Sequence, residues 1–249
     1  MACFSKIKPI FTLVIFATVL TFRVTAQDTV ATPTSETTSR GAPYNGIGLN
    51  FGITFFVPNE VNDLISAIYD DLKSGYLIAS EMGTPMLLMG ESFKLKGVFY
   101  LNKYLALEPY SQLFWAPKWI QISGAANLSQ WIHVLFYSGG INFWARFKPD
   151  KTVSFKAGLG GFGGFSNLIA TGDAGETTLS GAGYGGNLLA GLDLTFSKVA
   201  VNLDFSVPIG VIRYSSRDGS LSLASSDFKY PEKILLAGFE FRPGVTFRF

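Results

Sequence analysis

Apolar and polar side chains alternate with a period of two over most of the chain that follows residue 44. The first such segment has Ile47, Leu49 and Phe51 on one face and Gly48 and Asn50 on the other. Successive side chains of a β-strand point to opposite faces, so this pattern predicts a strand with one apolar face and one small, polar face. The pattern recurs in further segments that begin near Phe93, Leu105, Leu135, Val153, Leu188, Val199 and Phe239. The chain is therefore predicted to be all-β, with eight strands.

The connections between these segments alternate in length. Short turn signals lie at 102–103, 148–151 and 197–198. The long links are predicted at about 58–88, 117–130, 166–181 and 215–232. Three short turns and four long links are expected for an antiparallel up-and-down barrel whose two termini lie at the same end.

The large apolar side chains are too numerous to fit inside a barrel of eight strands, whose interior is narrow. The opposite faces carry Gly, Ser, Thr, Asn and some charges, which would fit. The apolar face is therefore predicted to point outward into lipid, which makes this a transmembrane β-barrel. A soluble two-sheet sandwich is the alternative, although segments of roughly 12–16 residues are long for a soluble sheet.

Charged side chains occur on the faces that would point into the lumen. They are Lys94, Lys96, Glu108, Arg146, Lys156, Asp193, Asp204, Glu240, Arg242 and Arg248. An unpaired charge in a narrow lumen is costly, so we expect these six basic and four acidic groups to pair across strands. This pattern predicts a polar plug that closes the lumen; an ion pathway is the alternative.

The N-terminal segment 1–26 has the features of a signal peptide. Lys6 and Lys8 precede an apolar stretch at 10–22, and small residues end at Ala26. An apolar stretch of this length is too short to span a bilayer as a helix. Residues 27–43 are rich in Thr and Ser and predict a flexible periplasmic lead-in, and 44–249 would form the barrel.

Composition excludes several kinds of site. The one cysteine, Cys3, lies in the leader, so disulfides and thiolate metal sites are not expected in the mature chain. A single histidine, His133, argues against a histidine metal site, and no cofactor is expected. Removing the three basic residues of 1–26 leaves 17 basic against 18 acidic residues, a net charge of −1, which does not favour nucleic acid as a partner.

Two features invite a catalytic interpretation. His133 could act in acyl transfer with Ser129 or Ser138 and Glu108, but no motif supports this arrangement and no catalytic residue is assigned. Residues 158–163 fit the G-x-G-x-x-G pattern of dinucleotide sites, but no helix or βαβ unit surrounds them. Glycines in a strand are better explained by bending and by close approach of neighbouring groups.

One segment, 59–72 in the first outer loop, has helical spacing. Val61, Leu64, Ile65, Ile68 and Leu72 share a stripe, and Asn59 could cap the helix, with Asn62 as the alternative. This helix would cover apolar loop surface, lie over the barrel mouth or bind a partner.

Two girdles of aromatic residues are also expected at the membrane interfaces. Their predicted members are Trp115, Trp119, Trp131, Tyr137, Tyr184 and Tyr214 at the outer interface and Tyr44, Tyr100, Tyr104, Phe147, Phe196 and Phe249 at the inner one.

The last eight residues, 242–249, end in an aromatic pattern. Phe247 and Phe249 share one face of a terminal strand, and Arg242 and Gly244 share the other. The spacing of Arg242, Gly244, Phe247 and Phe249 resembles the C-terminal signature by which Gram-negative outer-membrane β-barrels are recognised for assembly.

Taken with this signature, residues 44–249 resemble the small outer-membrane β-barrel superfamily of the OmpA transmembrane domain, OmpX and OmpW. The resemblance implies location in the Gram-negative outer membrane, with both termini periplasmic and with outer-membrane lipid and lipopolysaccharide as surroundings. It also implies insertion by the barrel assembly machinery after delivery by periplasmic chaperones. The expected function is non-enzymatic, structural or surface-interacting through the outer loops. A narrow channel or a carrier for small hydrophobic molecules is the alternative, followed by a lipid-modifying enzyme.

Overall fold

The computed structural model describes residues 45–56, 88–122, 128–148, 151–172, 175–219 and 232–249. Each described stretch is dominated by strand, as the alternation of apolar and polar residues predicts. The strands are β1 (Gly46–Phe56), β2 (Leu88–Tyr100), β3 (Leu105–Ile122), β4 (Leu128–Phe147), β5 (Val153–Gly172), β6 (Gly175–Thr195), β7 (Val199–Gly219) and β8 (Lys233–Arg248).

The eight strands form a closed antiparallel ring in chain order. Each strand pairs with the strands before and after it, and β1 pairs with β8, with Gly46 opposite Arg248. The prediction of eight antiparallel strands in up-and-down order is confirmed. The start of β1 and the end of β8 lie at one end, together with the short connections 101–104 and 196–198. We call this the turn end and the opposite end the loop end.

The ring is strongly staggered. Cross-strand partners lead from Thr54, near the loop end of β1, around the ring in the direction of β8 and finish at Tyr100, at the turn end of β2. The intermediate partners are Glu240, Ser206, Leu189, Gly158, Trp144 and Ala106. Such a stagger requires strands that are tilted relative to the barrel axis.

Two of the predicted long links are wrong. Most of 117–130 belongs to β3 and β4, which run to Ile122 and from Leu128. Most of 166–181 belongs to β5 and β6, which run to Gly172 and from Gly175, with Gly172 opposite Gly175. In these stretches the inward face is apolar and the outward face carries polar residues. Leu168, for example, is buried, while Asn167 beside it is partly exposed. The outward-facing residues therefore cease to be apolar before the strands end.

The predicted signal peptide, lead-in and loop helix at 59–72 lie outside the described residues. Within the part of the chain that is described, no helix is long and apolar enough to cross a membrane.

Candidate functional site in the barrel interior

The outer surface of the barrel is apolar around its whole circumference. Every strand contributes at least one large apolar side chain that is more than a third exposed, and Leu159 is 62% exposed. Examples in ring order are Phe51, Phe93, Leu105, Phe143, Leu159, Leu188, Ile209 and Phe239. On β5 these outward residues extend from Val153 to Phe165, and on β7 from Val199 to Val211. We call this surface the apolar belt; on each of these two strands it covers 13 residues, slightly more than the roughly 9–11 tilted residues that cross a bilayer.

The interior of the turn-end half contains a continuous chain of buried ion pairs, which we call the ionic layer. Lys94 Nζ lies 2.6 Å from Glu108 Oε1, and the other oxygen of Glu108 lies 3.5 Å from Lys96 Nζ. Lys96 Nζ also lies 2.8 Å from Asp204 Oδ2, so the chain crosses from β2 to β7. It then continues through Lys156 to Asp193, at 2.7 and 2.8 Å.

Neutral polar side chains complete the ionic layer. Asn142 donates to Glu108 Oε1 at 2.9 Å, and Asn50 donates to Asp204 Oδ2 at 3.1 Å. Asn202 donates to Asp193 Oδ1 at 2.8 Å. A buried charge is tolerated only when its remaining hydrogen-bonding positions are occupied, and these amides serve that need. They were not singled out from the sequence, although their inward positions in the period of two carried the signal.

A second group of polar contacts surrounds Glu240 on β8. Arg242 Nη1 lies 2.7 Å from Glu240 Oε2, and Ser206 donates a short hydrogen bond to the same oxygen. Gln112 Nε2 and Thr54 Oγ1 both donate to Glu240 Oε1, at 2.9 and 3.1 Å. This carboxylate is therefore held from β1, β3, β7 and β8, which ties distant parts of the ring together.

Glycines on the inner face make room for the long polar side chains. Gly48 lies opposite Lys96, and Gly191 lies opposite both Lys156 and Asp204. A Cβ at Gly48 would come 2.9 Å from Lys96 Cε, and one at Gly191 would come 2.6 Å from Lys156 Cε. These close approaches give the glycines a structural reason, because a side chain at either position would compete with a lysine for the same space.

The interior of the loop-end half is apolar rather than polar. Twelve buried residues form what we call the loop-end core. They are Phe56, Phe114, Ala116, Ile132, Val134, Phe136, Leu168, Ala170, Leu179, Ile212, Ile234 and Leu236. The alternating pattern predicts polar residues throughout the lumen, and this half differs from that expectation. Outside it, the surface becomes polar at positions such as Asn167 and Arg213.

Polarity thus reverses along the barrel axis. Next to the ionic layer the outer surface is apolar, and next to the loop-end core the outer surface carries polar residues. The surroundings explain the distribution of polar and apolar residues in each half. Residues facing hydrocarbon must be apolar, and strands whose outer face meets water need an apolar core on their inner face. The level of the reversal, near Phe165 on β5, gives the outer edge of the apolar belt.

Two cavities in the described interior are small. One of about 20 Å³ lies between the ionic layer and the loop-end core, against Tyr110, Phe162 and Glu240. The other, of about 10 Å³, lies near the turn end against Trp144 and Arg146. A cavity of this size holds about one water molecule. Phe162 narrows the space between the layers, where its ring packs against the loop-end core.

The remaining basic residues predicted for the lumen lie near the turn end. Arg146 is buried and donates from Nε and Nη2 to the Ser154 hydroxyl, at 3.2 and 2.7 Å. Arg248 lies outside the ionic layer, because its guanidinium donates to the backbone carbonyls of Phe196 and Ser197. It therefore holds the connection between β6 and β7 against the end of β8.

The four residues of the C-terminal signature have two different surroundings. Arg242 is buried in the lumen, and Gly244 lies opposite Asn50, whose amide occupies the space where a side chain would be. Phe247 and Phe249 are on the outside, and Phe249 is 71% exposed. The backbone N–H of Phe249 donates to the carbonyl of Asn45, next to the start of β1.

The structure separates the residues considered for acyl transfer. His133 is on the outward face of β4 and stacks on Trp115, with ring centroids 6.4 Å apart. Ser138 and Glu108 are buried on the inward faces. Ser129 is four residues away on the same strand, about 13 Å by the rise of a strand. His133 therefore does not come together with Ser138 and Glu108 as a catalytic set.

Two aromatic residues differ from their predicted place in the girdles. Tyr214 packs against the loop-end core, and its hydroxyl lies 3.3 Å from Ser166 Oγ. Tyr100 packs inside the turn end. Phe147, Phe196 and Tyr184 are exposed on the outer surface, as expected.

Segment 158–163 lies within β5 and opens no helix. Among the described residues, no group of three or more His, Cys, Asp or Glu is placed to hold a metal ion.

A closed antiparallel barrel with an apolar outer belt and a charged interior has the arrangement of a membrane-spanning β-barrel. No protein-family model matches the chain, and no curated protein matches it by sequence.

Several solved structures are similar to it. They include Ail, the attachment invasion locus protein of Yersinia pestis, at 9% identity, covering 84% of this chain and 99% of that one with a TM-score of 0.40. Neisserial surface protein A (NspA) is 10% identical, with 83% and 97% covered and a TM-score of 0.38. A major outer membrane protein from Thermus thermophilus is 13% identical, with 83% and 100% covered and a TM-score of 0.44. Likenesses at this distance concern the fold alone.

Proposed function

We propose that this chain is an integral outer-membrane protein of a Gram-negative cell, with a closed lumen and no enzymatic activity. The observation that carries the proposal is the apolar belt together with the ionic layer inside it. In water, such a belt would expose a far larger apolar surface than soluble monomers show. In a bilayer the same surface meets hydrocarbon, and the tilted strands are long enough to cross it.

The difference between the two ends of the barrel supports an orientation in the membrane. The short turns, the start of β1 and the end of β8 face the periplasm. The extended strands β3–β7 project from the outer leaflet. The lead-in at 27–43 would then be periplasmic, after removal of the signal peptide 1–26. Outer-membrane lipid and lipopolysaccharide surround the apolar belt. Periplasmic chaperones deliver the unfolded chain, and the barrel assembly machinery inserts it.

The function we propose is structural or surface-interacting, through the part that projects from the membrane. Two features support a role outside the lumen. First, the ionic layer and the loop-end core fill the described interior in series, and two cavities between and below them measure only about 20 and 10 Å³. Second, the strands continue past the outer edge of the belt and carry their own apolar core, which makes a firm support for the loops.

A carrier for small hydrophobic molecules is the second candidate. The observation in its favour is the loop-end core, which places apolar side chains inside the barrel where a hydrophobic ligand would enter. Against it, the adjoining cavity of about 20 Å³ is far smaller than the roughly 300 Å³ of a typical ligand site. Binding would require the core to rearrange.

The decisive experiment uses the mature chain, 27–249, refolded in detergent. It is expected to need detergent to remain monodisperse and to give no single-channel steps in planar bilayers. The full chain with its leader, expressed in Gram-negative cells, is expected to fractionate with the outer membrane. A monodisperse species in plain buffer would overturn the membrane assignment. Reproducible conductance steps would overturn the closed lumen while leaving the location intact. Saturable uptake of a fluorescent fatty acid would favour the carrier.

A further inference from the structure

The buried charges of the described interior do not balance. Five basic side chains are buried (Lys94, Lys96, Arg146, Lys156 and Arg242) against four carboxylates (Glu108, Asp193, Asp204 and Glu240). Four of the basic groups lie within 4.0 Å of a carboxylate, and Arg146 is the exception among the described residues. A buried charge without a counter-charge is costly, so the surroundings of Arg146 call for an anion.

Two hydrogen-bond donors near the turn end have no partner within the described residues. One is Nη1 of Arg146, and the other is Nε1 of the Trp144 indole, two residues away on the same face of β4. Both side chains are only 3% exposed. A guanidinium and an indole N–H can donate but cannot accept, so neither can satisfy the other. The group that satisfies both must be an acceptor.

Trp144 and Arg146 line the same small cavity, of about 10 Å³. Lys96 and Lys156 also line it, and Lys156 Nζ lies 4.5 Å from the centre of the Trp144 ring. The carboxylates in its wall, Glu108 and Asp193, are each already bound to a lysine. The cavity is therefore lined by an excess of positive charge and by two residues that each carry an unused donor, and it has room for one small guest.

We propose that this cavity is a binding site for a single monatomic anion of the chloride class, held by Trp144 Nε1 and Arg146 Nη1. The anion supplies the missing negative charge and accepts both hydrogen bonds. It completes the ionic layer from the turn end, where the barrel interior meets the aqueous phase. A water molecule of similar size accepts the same two hydrogen bonds but leaves the charge of Arg146 unbalanced, so the two guests are separable by experiment.

The test uses the full mature chain refolded in a zwitterionic detergent. Its thermal unfolding midpoint is measured as chloride replaces methanesulfonate at constant ionic strength. We expect the midpoint to rise by a few degrees and to saturate as for one site, because a ligand that binds only the folded state stabilises it. R146Q and W144F are expected to abolish the rise, and R146K to retain it. A wild-type midpoint that ignores chloride would overturn the proposal.

Crystals soaked in bromide give an independent reading of position. An anomalous peak within hydrogen-bond distance of Trp144 Nε1 and Arg146 Nη1 is expected in the wild type and should be absent in W144F. This variant keeps an aromatic ring in the barrel and removes the N–H, so it carries the test if R146Q does not fold. A wild-type cavity that holds only water, with bromide elsewhere, would overturn the proposal.

Asp150 provides the control for an internal counter-charge. It follows Arg146 by four residues, in the connection to β5 that lies outside the described residues. D150N is expected to keep the chloride response of the wild type. If chloride sensitivity instead appears only in D150N, the partner of Arg146 is this carboxylate and the anion site is refuted.

Discussion

Lys156 and Asp204 form an ion pair of 2.7 Å although their strands, β5 and β7, are not neighbours in the ring. Gly191 on β6 is the cross-strand partner of both residues. The pair closes over the intervening strand because Gly191 has no side chain there. The ion pairs inside this barrel thus form across the lumen as well as between adjacent strands.

Asp204 should cost more to neutralise than Asp193. It binds both Lys96 and Lys156, whereas Asp193 binds Lys156 alone. Removing one partner of a buried ion pair leaves an uncompensated charge, which typically costs about 3–5 kcal/mol. D204N is therefore expected to lower the free energy of unfolding by about that amount, and D193N by less. Urea unfolding in lipid vesicles, followed by tryptophan fluorescence, measures both; equal effects would contradict the arrangement.

The outer edge of the apolar belt can be tested on one strand. Leu159 is at the middle of the belt on the outward face of β5, and Asn167 is on the same face beyond Phe165. An arginine facing lipid costs about 2–4 kcal/mol at the bilayer midplane and about 0–1 near the interface. L159R should therefore destabilise the barrel by the larger amount and N167R by little. Equal costs in unfolding from vesicles would place the membrane elsewhere.

Closure of the lumen by two layers in series predicts how conductance responds to mutation. F114A/F162A thins the apolar layer. K96A/D204A removes one basic and one acidic group of the ionic layer, together with their contacts to Glu108 and Lys156, and leaves the net charge unchanged. Each double variant alone should remain silent in planar bilayers, because the other layer still fills the lumen. The fourfold variant should show conductance steps if it inserts. Steps in either double variant would mean that one layer alone closes the barrel.

Deletion of Phe249 should impair assembly in cells. Phe249 and Phe247 are exposed at the turn end of β8, in keeping with a role in recognition rather than in packing. Phe147 is the matched control, since it is a phenylalanine with 56% exposure that ends β4 at the turn end of the barrel. Loss of Phe249 should reduce the heat-modifiable barrel in outer-membrane fractions several-fold, and F147A should not. Equal levels of the two variants would argue against the signature.

The period of two was sufficient to predict most of the fold. Pairs such as Lys94 and Phe93 occupy opposite faces as predicted, because each strand in the belt meets lipid on one side and a narrow lumen on the other. Leu168 and Leu179 were assigned to the predicted long link 166–181, but they lie in strands and are apolar and inward. There the outer surroundings change from hydrocarbon to water, and the phase of the pattern reverses with them.

The ionic layer was predictable only in part. Inward charges such as Glu108 and Asp204 were recognisable from their positions, but their partners were not. Lys156 reaches past its neighbouring strand because of a glycine, and that geometry depends on the stagger of the ring. Tyr214 was misplaced for a related reason, since it is on the inward face above the belt, where aromatic residues serve as core.

The pairing of β1 with β8 joins the two strands of the ring that are most distant in sequence. Such a contact has the highest contact order that the fold offers, so it is expected to form last and to govern the folding rate. Until then the sheet has two unpaired edges, which are liable to aggregation. The last step of folding is therefore the one that seals the sheet, and any factor that shields β1 during this interval controls the yield of the native protein.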